Sequence, residues 1–358
     1  MTAIESTSPR EVIQPGDVGR APSAREVTID RWFRWATRIL AGFSALLVVL
    51  VVLLVAKQAW PAIEKFGPGF VTSTKWDAGK NQFGILPEIF GTVVSSITGV
   101  ALAAVFGVAV AVFLTEEFIP RWLENVLKNV ITLLAAIPSV VYGLWGIFVV
   151  IPAIRPACNW LHERLGWIPA FSTPLVSVGM APAALVLAIM ILPTVAAISR
   201  DAIAAVDPLV RQAAIGMGAT PWETILGVTL PMSKRGIYGS IVLGLGRALG
   251  ETMALAMLVG NVNIMSPSFF SPADTLAALL ANKFPEAASH LDLGALMYAA
   301  LVLLLLTLVV NIVGELIMRK DIAGGSGMRK DIAGGSGRNR GPKRLGTLSR
   351  RHDEEVLE

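Results

Sequence analysis

With 358 residues, 54% of them hydrophobic and only 16% charged, the chain carries far more apolar side chain than a soluble domain of this length needs for its core. That excludes an ordinary soluble enzyme and predicts an integral membrane protein, as does a mean hydropathy of +0.64. The net charge of +4 bears on topology and predicts no nucleic-acid partner. One cysteine, Cys158, excludes an internal disulfide and any CxxC site. His162, His290 and His352 are scattered without a second ligand at metal spacing, so neither metal nor cofactor is expected.

In chain order, residues 1–30 are rich in Pro, Ser and charge without periodicity and read as a loose tail. The apolar run begins near Ile39, which argues against a signal peptide, and RWFRWATR just before it reads as an interfacial anchor. Apolar stretches able to cross about 30 Å of hydrocarbon are expected near 39–56, 89–114, 126–151, 174–198, 237–260 and 293–317, within a membrane domain over 31–318. Lys and Arg fall 22 on one side of these spans, counting Lys128 at the start of the third, and 7 on the other, with Arg247 inside the fifth. The asymmetry predicts that both termini are cytoplasmic. MRKDIAGGSG occurs twice in succession, at 318–327 and 328–337, and residues 319–358 read as a flexible basic tail with weak affinity for anionic membrane lipid.

In the third span, Pro138 removes a backbone hydrogen bond at mid-membrane. Ser139 and Tyr142 just beyond it are candidate path residues, although proline kinks are also ordinary in membrane helices. The loop 199–236 reads as two short helices. Asp207 and Pro208 are an N-cap and first-turn proline, and Gly218 suits a left-handed stop. Thr220, Pro221 and Glu223 form a capping box for a second helix that Pro231 is expected to end. Ala213 and Ala214 give the first helix a low-profile face, suited to a plug in a socket, with a connector lying on the membrane as the alternative. In the fifth span, GLGRALGETMALAML places Arg247 and Glu251 one turn apart, where they can pair. Gly236, Ser240 and Gly244 recur every fourth residue, as do Gly246 and Gly250, and predict close packing against a partner or within the subunit. Ser271, Pro272 and Asp274 resemble a further helix start before TLAALLANKF, an outer helix that would touch an external binding protein or lie as an interfacial plug.

The run QAAIGMGATPWETILGVTLP is similar to the EAA loop of ABC importer permeases: Gln212, Ala213, Ala214, Gly218, Leu230 and Pro231 fall on its spacing, with Gln212 in place of the usual Glu and Val228 in place of Ile. The segments GTVVSSITGVALAAVFGVAVAVFLTEE, IPSVVYGLWGIFVVIP, ILPTVAAISRDAI and GLGRALGETMA resemble the PstC family of phosphate-specific permeases. The resemblance implies an all-α type I importer fold with six transmembrane helices and a cytoplasmic coupling helix inserted into an ATPase subunit. It implies three protein partners, namely a PstA-like second permease, a PstB-like ATPase pair and a PstS-like external binding protein, with inorganic phosphate as cargo. No GxxxxGK[ST] loop occurs, which fits ATP hydrolysis on a separate subunit.

These observations predict a permease subunit working by alternating access. Arg247, Glu251, Thr252, Ser139 and Tyr142 would line the path, and Gln212, Ala213, Ala214, Gly218, Leu230 and Pro231 would couple to the ATPase. The alternatives are a permease for another oxyanion, an ion-coupled secondary transporter, which often has inverted repeats that this sequence lacks, and a scaffold that would leave Arg247 and Glu251 unexplained.

Overall fold

In hydrocarbon a helix satisfies every backbone polar group within its own segment, so the apolar runs fold as helices. The structure, a computed structural model, describes residues 23–116 and 118–334, with side chains through residue 317. In chain order the helices are α1 (Ala24–Phe66), α2 (Gly69–Thr72), α3 (Leu86–Thr115), α4 (Arg121–Ala136), α5 (Ser139–Trp145), α6 (Ile151–Leu165), α7 (Met180–Ala204), α8 (Pro208–Gly216), α9 (Pro221–Thr224), α10 (Leu230–Leu249), α11 (Met253–Leu258), α12 (Leu276–Lys283) and α13 (His290–Gly334). Among the described residues, five stretches are long and apolar enough to cross a membrane: Ala24–Phe66, Leu86–Thr115, Ser139–Leu165, Met180–Ala204 and His290–Ile317.

Two expected spans are divided. The segment 237–260 leaves the helix at 250–252, between α10 and α11. The segment 126–151 breaks at Ile137, which is extended (φ −69°, ψ 130°) because the ring of Pro138 disfavours a helical residue before it. The apolar crossing therefore lies in α5 and α6. The preceding α4 is amphipathic, with Lys128 paired to Glu124 and no fully buried residue. The fourth crossing begins at Met180, six residues later than expected at 174.

The ends also differ from the tail reading. Ser23 and Glu26 form a reciprocal capping box that starts α1 inside the expected 1–30 tail, and residues 1–22 lie outside the described residues. The backbone of α13 continues to Gly334, through the first MRKDIAGGSG copy and into the second, because adding a residue to an existing helix costs far less than nucleating one. Residues 335–358, His352 among them, lie outside the described residues.

The core is built on α3, α7 and α10. Small residues let the backbones approach: a Cβ on Gly99 would meet Leu187 at 3.1 Å, and one on Gly107 would meet Val195 at 3.0 Å. The Gly236, Ser240, Gly244 stripe packs inside this chain against α7. A Cβ on Gly236 would lie 2.2 Å from that of Ala202, and the Ser240 and Ser199 hydroxyls are 2.9 Å apart. On another face of α10, Gly246 approaches Asn311 of α13.

The expected helix start at Ser271 falls instead at Thr275, whose hydroxyl accepts from the Ala278 amide at 3.2 Å. Leu276, Ala277, Ala278 and Leu279 are buried, so the first half of α12 packs into the chain. The Leu276 amide donates to Thr92 Oγ1 at 2.9 Å, joining it to α3. At this joint a Cβ on Gly91 would stand 1.9 Å from the Asp274 carbonyl oxygen, a backbone atom unable to rotate away. Gly91→Ala is therefore expected to destabilise the chain by about 3 kcal/mol, the upper end for overpacking, measured as a lowered melting temperature in detergent.

Asp274 accepts the Thr275 amide at 2.7 Å, and burial pushes its carboxyl up from 3.8 to about 6. The fully buried Glu88 of α3 lies within electrostatic reach. The folded chain holds the Asp274 proton more tightly than the unfolded chain. Its stabilising contribution is therefore complete below about pH 4 and is lost as pH rises to about 6, a change of about 3 kcal/mol. Asp274→Asn should flatten that part of a melting-temperature profile, and an unchanged slope would contradict the assignment.

Candidate functional site

Two regions carry the polar residues that the sequence singles out. The first lies where α5, α7 and the α10–α11 break meet. Arg247, in the last turn of α10, is exposed on an open face of the chain, and its Nη1 donates to Thr194 Oγ1 at 3.2 Å. Thr194 sits on α7 immediately after Pro193, which is buried inside the helix. Tyr142 on α5 lies within electrostatic reach of Arg247. Packing brings these elements together: a Cβ on Gly143 of α5 would lie 2.6 Å from the sulfur of Met257 on α11.

The expected Arg247–Glu251 pair does not form. Pairing at this spacing needs a continuous helix, and α10 stops at Leu249. Glu251 instead accepts the Ala254 amide at 3.2 Å, capping the first turn of α11, where a carboxylate also meets the positive end of the helix dipole. Thr252 donates to the Gly250 carbonyl at 3.2 Å and so belongs to the break itself. Tyr142 is 4% exposed and its hydroxyl donates to the Leu134 carbonyl at 2.8 Å, tying α4 to α5 across the Pro138 break. Ser139 is half-buried in the first turn of α5. The structure thus brings Arg247 close to Thr194 and Tyr142, while Glu251 and Thr252 hold the backbone that ends α10. Thr194 is the residue that sequence reasoning misses; a polar side chain just after an intrahelical proline is the signal that could have found it.

The second region is the loop between α7 and α10. Asp207 accepts the Leu209 amide at 2.9 Å and Pro208 opens α8, as their types dictate. Gly218 has φ +92°; its amide reaches the Ile215 carbonyl at 2.9 Å, and that of Ala219 reaches the Ala214 carbonyl at 3.1 Å. These two bonds are a Schellman stop, which a residue without Cβ permits. Gln212 and Ala213 lie on α8 with Ala214, whose side chain is buried.

Thr220 and Glu223 form the capping box, with Thr220 N to Glu223 Oε2 at 2.7 Å and Glu223 N to Thr220 Oγ1 at 3.3 Å. Pro231, however, does not end the second helix. A π-turn over Ile225–Thr229 joins α9 to α10, with Pro231 in the first turn of α10. The wider turn absorbs the proline's missing donor, and a second π-turn, Gly146–Val150, likewise comes just before Pro152. Leu230 begins α10 and packs with Ile237 on a small core of Ala111, Val112, Ile203 and Ile225.

Known proteins match this architecture. The family model for the binding-protein-dependent transport system inner membrane component matches residues 103–320. The phosphate transport system permease protein PstC of Haemophilus influenzae is 37% identical over 82% of this chain and 94% of its own length. The protein of the same name from Pasteurella multocida is 38% identical, over 82% of this chain and 92% of that protein. In fold, the chain resembles the structure of a bacterial alginate ABC transporter in complex with a pentasaccharide-bound periplasmic protein, with a TM-score of 0.56 at 16% identity, covering 82% of this chain and 96% of that one. The fold class is therefore that of an all-α, multi-pass type I ABC importer permease, a transport component rather than an enzyme. By the family match and by its identity to relatives over nearly their whole length, the chain belongs to the binding-protein-dependent inner membrane transport components and, among them, to the PstC permeases.

Proposed function

We propose that this chain is one half of the translocation path of an ATP-driven phosphate importer. The observation that carries the reading is the placement of Arg247. Its guanidinium lies on an open face, bonded to Thr194, within electrostatic reach of Tyr142 and one turn before the helix interruption at 250–252. A planar set of five donors suits the oxygens of inorganic phosphate. A charged group at mid-membrane is tolerated where it faces a water-filled path. The open face is where a PstA-like second permease would complete that path, and relatives named for phosphate transport favour this anion over sulfate or molybdate. Thr194 orients the guanidinium, Tyr142 lies within its electrostatic reach with Ser139 one turn earlier on α5, and Glu251 and Thr252 fix the backbone break.

In the same reading α8 is the coupling helix. Gln212, Ala213 and the Gly218 stop would enter a groove of a PstB-like ATPase, while Ala214, Leu230 and Pro231 anchor the loop to the membrane helices. Both termini would then be cytoplasmic, by the 22 to 7 distribution of Lys and Arg, and a PstS-like protein would dock at the opposite end. The 31–318 membrane domain would contact lipid along the exposed apolar faces of α1 and α13.

Purification from native membrane followed by identification of the retained chains tests the assembly. A second permease, an ATPase and an external binding protein are expected, and a complex lacking any ATPase would overturn the reading. For topology, a single cysteine placed within 62–80 should react with an impermeant reagent on intact cells lacking Cys158, and one within 340–350 should not. The reverse pattern would invert the orientation.

A further inference from the structure

We infer that Arg211 and Glu116 form the joint through which movement of α8 reaches α3 and α7 together. This rests on the reading of α8 as the ATPase dock and adds the route by which the dock acts. Arg211 Nη1 lies 3.0 Å from Glu116 Oε1, and its Nη2 donates to the Ile203 carbonyl at 2.7 Å. One side chain on the docking helix thus holds the C-cap residue of α3 and a last-turn carbonyl of α7. Both are favourable for a cation, because helix C-termini carry partial negative charge.

The pair is shielded, with side chains 20% and 14% exposed, so it is screened less than a surface ion pair. A second contact runs beside it. Phe118, just past α3, stacks on Trp222 of α9 with ring centroids 5.5 Å apart. Beneath lies the cluster of Ala111, Val112, Ile203 and Ile225, which joins the ends of the same helices.

The geometry gives the joint a lever. Thr194 lies nine residues before Ile203 on α7, about 14 Å along the axis. Pro193 removes a backbone hydrogen bond there, and prolines are where helices bend. A shift of α8 that carries Ile203 with it would tilt the segment 194–204 and change the distance from Thr194 to Arg247. Arg211 and Glu116 are therefore positioning residues: they act through the ends of α3 and α7.

The test uses the full complex in proteoliposomes, reading inorganic phosphate transported per ATP hydrolysed alongside ATPase copurification. Arg211→Gln and Glu116→Gln are expected to keep the ATPase bound and hydrolysing while phosphate moved per ATP falls about tenfold. Arg211→Lys, which keeps the charge, should recover much of that ratio. An unchanged ratio in both neutral variants would overturn the joint. Equal loss of assembly in all three variants would overturn it too, since it would make the pair a structural tie. Failure of the joint is distinguishable from failure of the dock. If Gly218→Val releases the ATPase while Arg211→Gln stays coupled, only the joint fails; if Gly218→Val leaves the ATPase bound and coupled, the dock itself fails.

Discussion

Arg247→Gln is expected to reduce phosphate uptake in vesicles by about two orders of magnitude, close to 3 kcal/mol, the scale of a lost hydrogen bond to a charged group. Assembly should survive, because Arg247 is exposed on the open face and its bond to Thr194 leaves the core packing of α10 to Gly236, Ser240 and Gly244. Arg247→Lys keeps the charge but loses the planar fork and should retain part of the transport. Glu251→Gln should be milder than a broken ion pair would be, since an amide oxygen can still accept the Ala254 amide. Full uptake by Arg247→Gln would remove the arginine from the path. Loss of assembly in that variant would make it a structural residue.

Gly218→Val should release the ATPase, lowering its recovery in copurification more than tenfold. The strain is in the backbone: φ is +92°, and a β-branched residue there costs about 2 kcal/mol. Nothing lies within 4 Å of an added Cβ, so steric overlap adds little, and the membrane helices should be unaffected. The Schellman bonds from Gly218 and Ala219 would be lost, and the angle between α8 and α9 with them. Undiminished copurification with normal uptake would contradict the docking role.

Local signals in this sequence translate directly into structure. Asp207 with Pro208, Thr220 with Glu223, and Gly218 each act within four residues, so their types alone fix the geometry. Long-range features are hidden for a physical reason. Hydropathy averages over a window and does not register that Ile137 is extended or that residues 250–252 leave the helix, so the spans at 126–151 and 237–260 read as continuous. The Arg247–Glu251 pairing assumes an unbroken helix and fails with it. A small-residue stripe says that something packs closely but not what, and in this chain it is α7. The bonds from Arg247 to Thr194 and from Arg211 to Glu116 join residues far apart in sequence, and only the fold makes them neighbours.

Phosphate import by this chain's complex is measured as ATP-dependent uptake of radiolabelled phosphate into proteoliposomes holding the purified complex, with excess unlabelled phosphate, sulfate or molybdate as competitor. Uptake is expected to require ATP and to be suppressed by unlabelled phosphate alone. Uptake without ATP, or suppression by sulfate or molybdate as strong as that by phosphate, would contradict it.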